Sequence, residues 1–439
     1  MKKVVKFGGS SLADAAQFRK VGDIIRADAS RVYVVPSAPG KRFSGDTKVT
    51  DLLYRCYDLA KDGKDFSAPF EEIQGRYREI IEGLGLSFSL GEEFRTIEKS
   101  LKEDPDRDYT ASRGEYLNGR VMAAYLGFDF IDPAEAIFFN EEGHLNEYKT
   151  GKVLGKMLEE HDHAVIPGFY GCGKDGRVKT FSRGGSDITG SIVAGACHAG
   201  VYENWTDVSG FLVADPRIIR DPVAITTITY KELRELSYMG AGVLHEDAIF
   251  PVRKEGIPIN IRNTNAPEDP GTWIVESTAQ KSGYTITGIA GKKDFCAVLI
   301  SKDQMNSEIG FGRKVLQAFE ENGISFEHMP SGIDTMTIVV HESEFIDKEQ
   351  QVVSAIHRLA EPDSIEIEAD LALIAVVGRG MKSQRGTAGR IFAALAHAHV
   401  NVRMIDQGSS ELNIIIGVEN RDFETAIRAI YAIFVETKL

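Results

Sequence analysis

Cysteine is scarce in this chain. Four residues in 439, Cys56, Cys172, Cys197 and Cys296, lie scattered with no CxxC pair among them. That spacing argues against a disulfide framework or a zinc site and fits a reducing compartment, the cytoplasm. Long apolar runs are also missing, and none approaches the ~20 residues of a membrane span, so no membrane partner is expected. The chain passes from Met1-Lys2-Lys3 straight into a strand-like run, with no h-region or cleavage site, so no secretory signal is expected. Basic excess is absent too: 51 Lys+Arg stand against 65 Asp+Glu, for a net charge of −14. This argues against a nucleic-acid surface, and any anionic substrate must be held by local cations against an unfavourable overall field. Neither a GxxxxGK[ST] run nor a kinase-type GxGxxG is recognised, so neither a P-loop nor a protein-kinase fold is expected.

What is present is an ordinary globular composition, 43% hydrophobic and 26% charged, with room for about two to four domains. The most informative stretch is Val4-Val5-Lys6-Phe7-Gly8-Gly9-Ser10-Ser11. It reads as a short buried strand breaking into a glycine pair and hydroxyls, followed by a helix over Leu12–Ala27. Glycines there let backbone N–H groups approach an anion without Cβ obstruction, and a helix N-terminus favours negative charge. Lys6 adds a full positive charge beside that nest.

Residues 1 to about 275 alternate strand-like and helix-like segments. Arg31–Val35 and Ala164–Phe169 have strand length, while Gly151–Glu160 and Asp187–His198 read as helices. The alternation predicts an α/β sandwich with a largely parallel sheet and ligands beyond the strands' carboxyl ends. Around Ser277–Lys293 the composition turns rich in Gly, Ser, Thr and Lys and reads as a connector. An internal repeat follows. A shift of 76 residues lays Met305 on Met381, Gly310 on Gly386, Val315 on Ile391, Phe319 on Leu395, Gly332 on Gly408 and Ile338 on Ile414. Each copy reads as a βαββαβ unit, with Thr335–Val340 matched by Glu411–Ile416. The domains expected are therefore 1–280, a connector 281–294, then 295–366 and 367–439.

Four clusters in the first domain carry chemistry. Besides Lys6–Ser11 they are Ser37-Ala38-Pro39-Gly40 after a strand, Ser112-Arg113-Gly114-Glu115, and Ser182-Arg183-Gly184-Gly185-Ser186-Asp187. Taken singly, the second is equally a strand-ending turn, Glu115 a helix-start acid, and Ser186 or Asp187 an N-cap. Two Gly-Gly loops, one armed with Lys and one with an Arg fork, fit a site with two anionic partners.

These clusters, together with Trp205-Thr206-Asp207-Val208 and Ala214-Asp215-Pro216-Arg217, resemble the aspartate kinases of the amino-acid-kinase family. The doubled tail resembles that family's paired ACT domains. The resemblance implies an α/β fold: an amino-acid-kinase (carbamate-kinase-like) three-layer αβα sandwich, followed by two ferredoxin-like βαββαβ ACT domains. It implies transfer of phosphate from ATP, with Mg²⁺, to the β-carboxylate of L-aspartate. Lys6 and Asp187 would be catalytic. Ser37, Ala38, Thr50, Glu115, Arg183, Gly184 and Ser186 would bind the substrate, Glu115 its ammonium and Arg183 its α-carboxylate. Lys6, Gly8, Gly9, Ser10, Thr206, Asp207, Leu212, Asp215 and Arg217 would hold the nucleotide, and no protein metal ligand is expected. Met305, Ser307, Gly310, Phe326, Glu327 and Ser331 in the first copy would bind an effector, L-lysine ahead of threonine. The assembly implied is a homodimer through the tails, or a tetramer. The chain leaves room for one closing helix after Leu412–Val418, so a fused dehydrogenase domain is not expected.

The sequence departs from that family's pattern at several positions. Gly242 stands where a phosphate-holding lysine is usual and Glu246 where a proline is usual. Leu212 replaces an aromatic residue and Pro39 a serine. Lys41–Lys48 is a basic insertion, and Lys41, Arg42 or Lys48 is a candidate to replace the missing lysine. Two other readings compete: the same fold with another acceptor (acetylglutamate, glutamate, carbamate or UMP), and a non-catalytic amino-acid sensor.

Overall fold

The structure is a computed structural model describing residues 1–182, 184–242, 244, 248–278 and 284–437. Arg183, Glu246 and the first three residues of the connector, 281–283, therefore lie outside the described residues. The chain forms two compact units. The first comprises Met1–Phe211, Ala224–Lys231 and Val243–Thr278; the second comprises Leu212–Val223, Glu232–Gly242 and Ala279–Leu439.

The strands of the first unit, in chain order, are β1 (Lys3–Phe7), β2 (Arg31–Pro36), β3 (Asp129–Phe130), β4 (Ala164–Val165), β5 (Tyr170–Cys172), β6 (Val178–Thr180), β7 (Val201–Thr206), β8 (Thr227–Thr229), β9 (Ile259–Asn263) and β10 (Thr272–Val275). Among the described residues eight of them make one sheet in the order β3-β4-β2-β1-β7-β9-β10-β8, parallel except where β9 meets β10. Alternation along β1 sets the layers. Val5 and Phe7 join a core with Phe18, Val21, Leu53, Tyr77 and Leu117, from helices on one face. Lys6 points the other way and meets Asp187, on helix Gly185–Ala196. This gives the three-layer α/β sandwich that the alternation predicts.

Several boundaries move for local reasons. The first long helix starts at Ala15 rather than Leu12, because Asp14 caps it by accepting from Gln17 N–H at 2.9 Å. The run Ala164–Phe169 is ladder only at Ala164–Val165; Pro167 lacks the N–H to continue. Contrary to expectation, Gly171-Cys172-Gly173-Lys174-Asp175-Gly176 does spell GxGxxG, in the short β5–β6 hairpin outside the main sheet rather than at a helix start.

In the second unit the strands are β11 (Gly288–Ser301), β12 (Thr335–His341), β13 (Ser364–Val377), β14 (Met404–Asp406) and β15 (Asn413–Glu419), ordered β12-β11-β13-β15-β14. Helices Phe311–Glu321 and Thr387–His397 are related by the repeat's own shift, and both follow a left-handed glycine, Gly310 (φ 86°) and Gly386 (φ 83°). The two copies are interleaved rather than consecutive. Gly288–Lys292 pair with Leu373–Val377, beside β15, while Ala297–Ser301 pair with Ser364–Glu368 and β12. The register breaks between Lys292 and Ala297, where Asp294 has φ 69°. Residues expected to be connector thus supply the second copy's outer strand; among the described residues after β15 only helical turns follow. Glu232, fully buried, ties its segment to this unit through Arg379 Nη1 at 2.9 Å and Thr287 Oγ1 at 2.6 Å.

Candidate functional site

β1 delivers Lys6 to the sheet's carboxyl edge. Its side chain is nearly buried, and Nζ lies 2.6 Å from Asp187 Oδ1 and 3.5 Å from Asn204 Oδ1. Asn204 Nδ2 also donates to Asp187 Oδ1 at 2.8 Å, so the three groups form one network. Gly8 follows, its N–H given to Trp205 O at 2.9 Å. The turn Gly9–Leu12 begins there, and its first amides, Gly9 and Ser10, have no acceptor within the turn. A Cβ on Gly9 would lie 2.9 Å from Ala38 O and 3.2 Å from Gly40 N, so this loop and the next touch backbone to backbone. Lys6, Gly8, Gly9 and Ser10 therefore meet in one concavity.

The Ser37–Gly40 loop is held by Ser37 N–H to Phe7 O (3.1 Å) and Gly40 N–H to Gly9 O (2.8 Å). Ala38 packs on Gly114, whose missing Cβ would fall 2.8 Å from that of Ala38. The Ala38 N–H points at Glu115 on helix Arg107–Leu126. Burial pushes the Glu115 carboxyl up to about 8, against the opposing pull of that amide and the Arg113 guanidinium. One of its oxygens, Oε2, is buried without a partner. A buried acid with an open oxygen is satisfied either by its own proton or by a cation such as an ammonium group. Three residues on, Asn118 Nδ2 donates to Ser37 O at 2.6 Å, a brace that the sequence did not signal. Thr50 follows at the start of helix Val49–Lys61, half-buried.

The second glycine pair opens helix Gly185–Ala196. Gly184 is left-handed (φ 59°), and a Cβ on Gly185 would fall 2.4 Å from the Phe169 ring. Phe169 itself holds φ 82°, fixed by its N–H on Thr189 Oγ1 (3.0 Å) and its carbonyl on Phe181 N–H (2.9 Å). A left-handed conformation is uncommon for a bulky aromatic residue and stores local strain beside the second glycine pair, and no motif in the sequence announced it. Gly184, Ser186 and Asp187 are thus placed beside Phe169 and Lys6; Arg183 is outside the described residues.

The remaining expected nucleotide residues divide between the units. Thr206 and Asp207, joined at 3.2 Å, end β7 in the first. In the second, Leu212, Asp215 and Arg217 belong to the segment Leu212–Val223, where Arg217 Nε bonds both Asp215 oxygens at 3.0 Å and keeps that carboxyl below its usual range. A Cβ on Gly242 would meet nothing within 4 Å. Of the three candidate replacements for its lysine, Arg42 is engaged by Asp46 (2.9 Å) and Glu79 (3.0 Å), while Lys41 and Lys48 are exposed.

In the first tail copy Met305 is part of the core and Gly310 caps the following helix; Ser307 lies in the intervening turn. Phe326 is exposed, Glu327 N–H bonds Val339 O at 2.8 Å, and Ser331 bridges to Met336. Among the described residues the Glu327 carboxylate has no ion-pair partner. Its counterpart in the second copy, Val402-Arg403, has its cation taken by Glu368 and Glu419.

A cation fixed by a carboxylate, open amides beside it and a buried acid facing them can seat two anions and one ammonium. Residues 1–263 match the Amino acid kinase family and residues 374–434 match the ACT domain. The chain is 41% identical to aspartokinase 3 of Bacillus subtilis over 98% of both chains. It superposes on the aspartate kinase of Clostridium acetobutylicum, described as an allosteric enzyme, with a TM-score of 0.91 and 52% identity, over 99% of this chain and 100% of that one. E. coli aspartokinase III, solved with aspartate and ADP, aligns at 23% identity and TM-score 0.75 over 99% of each chain, which shows a shared fold.

Proposed function

We infer that this chain, which belongs to the amino acid kinase family and within it to the aspartokinases, transfers the γ-phosphoryl group of ATP to the β-carboxylate of L-aspartate. The product is 4-phospho-L-aspartate, the first step of aspartate-family amino-acid synthesis. The observation that supports the acceptor best is Glu115, a buried acid with one free oxygen beside Ala38, suited to a free α-ammonium group.

The β-carboxylate is already ionised near pH 7, its unperturbed pKa being about 3.9, so the reaction needs no general base. The obstacle is charge. Two unit negative charges ~4 Å apart repel by about 4 kcal/mol at an effective dielectric near 20. Lys6 and the open Gly9 and Ser10 amides offset that repulsion, and Asp187 with Asn204 keeps Lys6 aimed. Ser37, Ala38, Thr50, Gly184 and Ser186 shape the aspartate side with Arg183; Thr206 and Asp207 continue the nucleotide side. Among the described residues no three His, Cys, Asp or Glu side chains gather to hold a metal. The phosphates themselves supply the hard oxygen ligands that Mg²⁺ prefers, and the ion lowers their charge when bound. The free Glu327 carboxylate favours L-lysine as effector in the first tail copy, in a cytoplasmic homodimer formed through the tails.

Coupled ADP release measured with aspartate, glutamate and acetylglutamate tests the activity; turnover with aspartate alone is expected. Inhibition curves with lysine and threonine, on wild type and Glu327→Ala, test the effector. Undiminished lysine inhibition in the variant places the effector elsewhere.

A further inference from the structure

Helix Ser67–Gly83 carries an arginine, Arg76, that is 3% exposed and has no part in the motifs above. Its guanidinium joins four points of the chain. Nη1 donates to Gly40 O (3.0 Å) and Ala13 O (3.4 Å), and Nη2 to Asp46 Oδ2 (2.7 Å) and Thr47 O (3.3 Å). Asp46 is nearly buried as well. It also accepts from the backbone N–H and the Nε of Arg42, both at 2.9 Å, and these donors with Arg76 hold its carboxyl far below the usual range.

Each acceptor adjoins a reactive loop. Ala13 closes the Gly9–Leu12 turn. Gly40 takes Arg76 on its carbonyl and gives its N–H to Gly9 O at 2.8 Å, so one line of hydrogen bonds runs from Arg76 to the glycine pair. Thr47 lies just ahead of helix Val49–Lys61, whose first N–H bonds Pro39 O at 3.3 Å. Glu115 is outside this line, on helix Arg107–Leu126.

We propose that Arg76, with Asp46, is a positioning residue for phosphoryl transfer, fixing the Gly8–Ser11 turn against the Ser37–Gly40 loop. The proposal rests on the aspartate kinase reading. The basic insertion then has a second role: its Arg42 and Asp46 complete the brace. Loosening it misplaces the phosphate-side amides directly and reaches the ammonium pocket only through the Ala38 N–H on Glu115, so the loss falls chiefly on kcat.

The test is steady-state kinetics on Arg76→Lys and Asp46→Asn, with melting curves to establish that each is folded at the assay temperature. Lysine keeps the charge but has no planar fork to reach Gly40 and Asp46 together. The expected result for Arg76→Lys is a kcat lowered ~10²-fold, with KM for aspartate within about threefold of wild type. Asp46→Asn, which keeps the shape, should lower kcat ~10-fold with the same KM pattern. A folded Arg76→Lys enzyme with wild-type kcat, or a loss confined to KM, overturns the proposal. If Arg76→Lys does not fold, Asp46→Asn decides on the same readout; if neither folds, the arginine serves the fold alone and the proposal falls. Wild type that releases no ADP with aspartate overturns the aspartate kinase reading instead, so the two failures are separable.

Discussion

At Gly8 the backbone is ordinary extended chain (φ −69°), whereas Gly184, in the other glycine pair, is left-handed at φ 59°. In the first pair it is Gly9 that other backbone crowds: the Ala38 carbonyl and Gly40 leave no room for a Cβ there, while a Cβ on Gly8 would meet only ordinary contacts at 3.6 Å. In the second, Gly184 is glycine for conformation, and at Gly185 both the ring and the Cα of Phe169 come too close for a Cβ. Two loops that look alike in sequence thus meet different physical demands. Backbone crowding has nowhere to relax, while a ring or a single strained dihedral has some freedom. Gly9, in the loop that carries Lys6, should accordingly be less forgiving than Gly184.

The largest effect that would sharpen this contrast is at Lys6. Lys6→Ala should lower kcat by ~10²-fold or more, as removal of a preorganised electrostatic group does. From its place at a strand end beside a Gly-Gly turn, Lys6 reads in the sequence as an exposed cation whose loss should cost little stability. The structure shows it nearly buried on Asp187, which would keep only its Asn204 partner. A loss of about 1–3 kcal/mol is therefore expected as well. Single-turnover kinetics and a urea melt separate the two, and a near-wild-type kcat would remove this loop from the chemistry.

Glu115, facing the same loop through Ala38, titrates within reach of assay. Its folded carboxyl at about 8 lies well above the ordinary 4.5 of a free glutamate. The protonated form therefore contributes stability below pH 4.5, and that contribution is lost as pH rises toward 8, at up to about 1.4 kcal/mol per pH unit. Substrate ammonium needs the ionised form, so KM for aspartate should rise about tenfold per pH unit below 8. Glu115→Gln should give a high, pH-flat KM and a protein more stable than wild type at pH 8. A wild-type KM that is level between pH 6 and 9 would show that another group receives the ammonium.

How much of this was legible follows from where each signal resides. The glycine pairs, Glu115 and the repeat are local spellings or periodicities, and the structure brings Lys6, Gly8, Gly9, Ala38, Glu115 and Asp187 to one edge of one sheet. Phe169, Asn118 and Arg76 act through partners tens of residues away and carry no spelling of their own. Arg76 reads as one more charge on an amphipathic helix. The interleaving of the tail copies was hidden for a related reason. Composition marked Ser277–Lys293 as connector, but the pairing of Gly288–Lys292 with Leu373–Val377 is set by a partner strand some 80 residues on.

The two glycine pairs can be compared directly by adding one methyl group to each. Gly9→Ala places Cβ 2.9 Å from Ala38 O and 3.3 Å from Gly40 Cα, all backbone, so the loops must part. Overpacking of this kind costs about 1–3 kcal/mol, and the displaced amides should lower kcat ~10-fold. Gly184→Ala adds a side chain to a left-handed residue, a strain of about 1–2 kcal/mol. Because Gly184 precedes the helix that holds Asp187, the helix can absorb part of that strain at its first turn. The expected result is the smaller effect, about 1 kcal/mol on stability and little change in kcat. Melting midpoints and kcat for both variants, measured side by side, give the ranking. If Gly184→Ala proved the more damaging to turnover, conformation rather than crowding would set the tolerance of this site, and the Arg183 loop would be the less forgiving of the two.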